Sequence, residues 1–195
     1  MVLGIKYPTV AFYTGGVGQS IDGVPNEPCN SFCRQAALAQ AKIENFNLCD
    51  YKISSLPKEL FGKIYPIEKV EQFFKQGGVL ETYIASAGAS VAEHKAIVTG
   101  LGVCWGKDEK DQLVGGWVAQ YCQYFDTWID DEIATAHSQM WLNKSLNNKL
   151  STRGIQKDGD FQLFHNFVNI EQTYGYCLTA LGFLDFEFAE PATVE

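Results

Sequence analysis

The sequence predicts an α/β layered domain, with two long helices packed against about seven strands. Three observations carry that reading. Residues 30–43 and 127–146 contain no glycine or proline and space their apolar side chains at roughly helical period. Seven other runs are rich in β-branched and aromatic residues and end at glycine, proline or charged turn segments. Several connections are short enough for hairpins, so a purely parallel, doubly wound sheet is not expected.

Residues 7–13 read as a short strand ending in the glycine-rich Thr14-Gly15-Gly16-Val17-Gly18, expected to form a tight turn. A polar loop with Pro25 and Pro28 leads to the first helix, residues 30–43, which Asn30 can cap. Its apolar stripe is Phe32, Ala36, Ala37 and Ala41, small enough for close packing on a sheet. Residues 46–55 are expected to be extended and stopped by Pro57, and 70–74 to form a short helix before Gly77-Gly78. Residues 79–85, 96–105 and 113–125 follow as strands, the last two joined by a charged turn at 107–111. The second helix, 127–146, takes Thr127 as N-cap, with Asp130, Asp131 and Glu132 near its positive end. Residues 161–170 and 174–188 close the chain as a strand pair.

The chain has 195 residues, 46% of them apolar and 13% aromatic, enough to fill the core of a single domain spanning 1–195. Its formal charge of −8 argues against nucleic acid as a main partner, because phosphate binding needs clustered Lys and Arg. No run approaches the ~20 apolar residues of a membrane span, and the first residues lack a secretion signal. A cytoplasmic protein is expected, with its six cysteines reduced. Cys29 and Cys33 could give two metal ligands on one helix face, but no second pair follows and His94, His137 and His165 lack ligand spacing. No metal site is expected. The glycine run after the first strand lacks both the spacing and the Lys-Ser/Thr pair of a phosphate loop.

The most unusual local pattern is a strand bracketed by Asn45 and Asn47 and followed by Ile53-Ser54-Ser55-Leu56-Pro57. With the alanine-rich segment 36–44 before it and Lys58-Glu59-Leu60-Phe61-Gly62 after it, this stretch resembles the pyruvoyl-dependent arginine decarboxylases. The similarity continues through 100–108 and 127–133 and ends in 176–183. It is similar above all to the short bacterial form of obligate intracellular bacteria.

That resemblance implies a four-layer αββα sandwich with mixed or antiparallel sheets, assembling as homotrimers whose interfaces hold the active sites. It implies a proenzyme in which a serine hydroxyl attacks the preceding carbonyl. β-Elimination and hydrolysis then leave a covalent pyruvoyl group as electron sink for decarboxylation of L-arginine to agmatine. The family's spacing to the proline selects Ser54 over Ser55, so Ile53 precedes the cut and the fragments are 1–53 and 54–195. Asn47 matches the family's active-site asparagine, and Leu38 its substrate-binding leucine. Ile53 stands before the cut where relatives usually carry Ser or Thr, and two further positions depart. Gln120 stands in Gly116-Trp117-Val118-Ala119-Gln120-Tyr121 where relatives carry a proton-donating glutamate, and Gln35 stands where they carry an aspartate for the guanidinium. An amide offers no proton near neutral pH and no charge-assisted pair. Glu44 and Asp50 are the nearest carboxylates in sequence. Acid resistance, or depriving a host of arginine, is the physiology the family suggests. A non-catalytic paralogue of the same fold and a thiol hydrolase are the alternatives.

Overall fold

The computed structural model describes residues 6–22, 32–51 and 55–188. Among these residues, nine strands fall into two sheets: β1 (Lys6–Ser20), β2 (Asn47–Asp50), β3 (Ser55–Leu56), β4 (Ile64–Pro66), β5 (Val79–Ser90), β6 (Ala96–Lys107), β7 (Leu113–Phe125), β8 (Gln156–Asn169) and β9 (Tyr174–Phe188). The first sheet has the order β2-β5-β9-β1-β4 and the second β3-β7-β6-β8. Strands β2 and β4 pair in parallel with β5 and β1, and every other pairing is antiparallel. Helix α1 (Phe32–Gln40) covers the outer face of the first sheet and α2 (Asp131–Ser151) that of the second. The result is an αββα sandwich, in agreement with the expected fold class.

Period-two alternation sorts side chains between layers. On β9, Cys177, Leu181 and Phe183 face the other sheet, while Leu178 and Ala180 face α1. Leu101, Val103, Val118 and Tyr83 complete the inter-sheet core. Strand β6, central in its sheet and covered on both faces, is buried from Ala96 to Gly106. A small polar cluster crosses the same space, with Thr99 Oγ1 2.9 Å from Thr179 Oγ1. Its hydroxyls satisfy one another, as buried polar groups must.

Three expectations are corrected. The run Gly15-Gly16-Val17-Gly18 is not a turn, for β1 continues to Ser20 in unbroken pairing with β9. Its glycines allow α1 to lie directly on the strand: a Cβ on Gly16 would sit 2.1 Å from the carbonyl oxygen of Ala37, and one on Gly18 2.0 Å from that of Cys33. That contact also sets the helix rotation. Cys33, Ala37 and Ala41 face the sheet, whereas Phe32 and Ala36 are exposed. Finally, α2 starts at Asp131 with Asp130 as N-cap, accepting from the backbone N–H of Ile133 at 2.9 Å. Thr127 cannot begin it, because the side chain of Asn169 binds both the N–H and the carbonyl of Ile129 at 3.0 and 2.8 Å. Asn30 lies outside the described residues.

Candidate active site

An open groove of about 850 Å³ runs along α1 and the start of β2. Because Cys33 and Ala37 are turned to the sheet, Gln35 and Leu38 fall on the flank of α1 that lines this groove. The opposite wall begins where Phe46 packs edge-on to Phe74, with ring centroids 5.0 Å apart. Asn47 then enters β2, donating its backbone N–H to Gly78 at 2.9 Å and its side-chain amide to Gly77 at 3.2 Å. Glu44 supplies the one carboxylate among the groove-lining residues, and its Oε1 accepts from Asn45 at 3.2 Å. Arg34 lines the same space. Gln35, Leu38 and Asn47, all expected in a site, therefore share one groove.

The far end of β2 leads into a crossing between layers. β2 ends at Asp50 in the first sheet, and β3 begins at Ser55 in the second. Ile53 and Ser54 lie outside the described residues, but both flanks of the crossing are anchored. Tyr51 donates its N–H to Thr82 at 2.7 Å, and its ring lies 6.0 Å from those of Tyr83 and Phe183. The Tyr51 hydroxyl bonds Glu81. Glu81 also pairs with Lys6 at 2.8 Å. Burial resists ionisation of Glu81, but these two partners outweigh it and hold the carboxyl below its usual range. On the other flank, Ser55 pairs with Trp117 and Leu56 with Gly116, and the Leu56 side chain is buried.

Tyr83 reaches this crossing from β5, donating its hydroxyl to the carbonyl of Ser55 at 3.4 Å. Burial, with Asp50 nearby, pushes its pKa up to about 12, so it stays a hydrogen-bond donor at neutral pH. Gln120 is exposed on β7, three residues beyond the partner of Ser55 and so roughly 10 Å along the strand. Its Nε2 donates to the carbonyl of Ile84 at 3.2 Å. The residues lining the groove include Gln35 and not Gln120, so the two amides lie on separate patches of the described surface.

Thiol chemistry finds little support. Burial raises Cys104 and Cys122 to about 11 and Cys177 to about 12, leaving them un-ionised at neutral pH. Cys49, Cys104, Cys122 and Cys177 are free thiols, and the described residues include no group of three or more potential metal ligands. No helix among them is long and apolar enough to cross a membrane.

Residues 10–188 match the family model for pyruvoyl-dependent arginine decarboxylase. The chain belongs to that family. It is 55% identical to the pyruvoyl-dependent arginine decarboxylase AaxB of Chlamydia muridarum (strain MoPn / Nigg) over 196 residues, covering 100% of both chains. The protein of that name from Chlamydia pneumoniae is likewise 55% identical, over 195 residues and 100% of both.

Members of this family depend on a pyruvoyl group, and the crossing fits one. It carries a serine pair between two anchored flanks, with a buried hydroxyl aimed at the carbonyl of the second serine. A cut here is also tolerated by the topology. β1, in the fragment upstream, lies between β9 and β4 of the downstream fragment, and β2 is zipped to β5. Fragments 1–53 and 54–195 are thus expected to co-elute in native size exclusion and to separate only in denaturant. Separation in native buffer would contradict this topology. Sequence reading missed Tyr83 and Tyr51. Tyr83 lies far from Ser55 along the chain, and the folding of β5 beside β2 brings its hydroxyl to the Ser55 carbonyl.

Proposed function

We propose that this chain is a self-processing decarboxylase converting L-arginine to agmatine and carbon dioxide, with its pyruvoyl group derived from Ser54. The full-length 55% identity to proteins of that name carries the proposal. The grouping of Gln35, Leu38 and Asn47 in one groove supports it.

The pyruvoyl group, when present, supplies a carbonyl that draws off the electron pair left as the carboxylate departs as carbon dioxide. The chain's own residues bind and orient. Asn47 is fixed by its bond to Gly77, and Leu38 offers apolar surface for the methylene chain of the substrate. The guanidinium cannot form an ion pair with Gln35, so Glu44 takes that role. Charge-assisted hydrogen bonds of this kind contribute about 1.5–3 kcal/mol. Glu44→Gln is accordingly expected to raise KM for arginine about tenfold or more with little change in kcat. An unchanged KM in steady-state assays would remove Glu44 from recognition. The proton that replaces the carboxylate at Cα must come from a group other than Gln120, and water reaches that exposed side chain.

Because the groove and the crossing are separate within one protomer, a homotrimer with each site walled by two neighbours completes the arrangement. The free thiols suit the cytoplasm. Release of labelled carbon dioxide from carboxyl-labelled arginine tests the activity, with Ser54→Ala as the control that should abolish it. A second reading, a non-catalytic paralogue, is favoured by Gln35 and Gln120. It would be upheld by cleavage without carbon dioxide release, or by no cleavage at all.

A further inference from the structure

Helix α2 is apolar on two faces, although only one meets the sheet. Ala134, Leu142, Leu146 and Leu150 are buried against β6, β7 and β8. On the opposite side Ile133, Met140 and Trp141 form a second stripe, with Met140 55% and Trp141 45% exposed. Large apolar side chains rarely line up in water unless something covers them. We infer that this face docks a second copy of the chain, the two α2 helices packing antiparallel about a two-fold axis at His137.

Charge and spacing choose that occupant. Asp130 lies at the acidic start of the stripe and Lys144 at its basic end, where the Lys144 ammonium stands 5.3 Å from the centre of the Trp141 ring. An axis at His137 brings Ile133 against the partner's Trp141 and, in the same register, Asp130 against the partner's Lys144. Apolar contact and opposite charges therefore agree on one antiparallel alignment, and the helix dipoles also oppose favourably. His137 itself is half-buried, its ring edge-on to Phe125 at 5.1 Å. The face lies on the outer layer away from α1, so pairing leaves the groove open and could join two complete trimers. It does not depend on the decarboxylase reading.

Light scattering at micromolar concentration tests it. The wild-type particle is expected to have twice the mass of a Met140→Glu/Trp141→Glu variant, and the variant to keep cleavage and arginine turnover. Equal masses would overturn the inference, whatever else binds the face. A positional test stands beside it, since a cysteine on a two-fold axis can only meet its own copy. Under mild oxidation, His137→Cys should give a disulfide-linked species of twice the mass of the polypeptide that carries the cysteine, which neither the wild type nor Gln139→Cys gives. No such species, or equal yields from the two cysteine variants, would overturn the register.

Discussion

Gln120→Glu is expected to raise the rate of arginine decarboxylation by roughly 10²-fold, the lower end of what a positioned general acid supplies. Gln120, at the position where the sequence resemblance implies a proton donor, is exposed on β7 and directs its amide at the carbonyl of Ile84, 3.2 Å away. A protonated glutamate can donate to that carbonyl in the same geometry, and unlike an amide it can release its proton. The gain has a signature in pH. The acid form is the active one, so kcat of the variant should fall as pH rises through the carboxyl's pKa. The wild type should lack that limb. Carbon dioxide release across about pH 5 to 8 measures both. A variant no faster than wild type at any pH would show that position 120 does not face the reacting carbon.

Gly18→Val should be the most damaging single change away from the chemistry. Its Cβ would come 2.0 Å from the carbonyl oxygen of Cys33 and 2.7 Å from the backbone nitrogen of Ala37. Neither is the end of a flexible side chain, so α1 must lift off the sheet or β1 must distort. Overpacking of this severity costs about 3 kcal/mol or more. For a domain of this size that lowers Tm by roughly 6–12 °C. Because Gln35 and Leu38 ride on α1, KM for arginine should rise in whatever protein remains folded. A thermal melt within a degree or two of wild type would mean that the helix does not rest on the strand backbone.

The elements legible in the sequence were those whose composition and flanking segments mark their own limits. Residues 113–125 and 174–188 are long runs rich in apolar and aromatic residues, and the observed β7 and β9 have the expected bounds. The failures share one cause, a tertiary contact overriding a local signal. Glycines at 15, 16 and 18 look like a turn by propensity, yet they lie in a strand, because α1 needs the room at 16 and 18 and the Asn166 side chain needs it at 15. Thr127 is a good N-cap by chemistry, but Asn169 on β8 holds Ile129 in place and moves the helix start to Asp131. The site divides in the same way. Gln35, Leu38 and Asn47 lie close along the chain and meet in one groove. Tyr83 reaches Ser55 only through the tertiary fold, which no local pattern announces.

Self-cleavage at the crossing between the two sheets is the claim on which the chemistry depends. Its most direct test is the mass of the purified protein under denaturing conditions, before and after borohydride reduction with arginine present. Two species are expected, 1–53 and 54–195, the larger gaining mass on reduction and neither formed by Ser54→Ala. An upstream fragment ending at Ser54 would instead move the group to Ser55. A single unreactive species of 21.7 kDa would contradict self-processing and leave the chain a decarboxylase in fold alone.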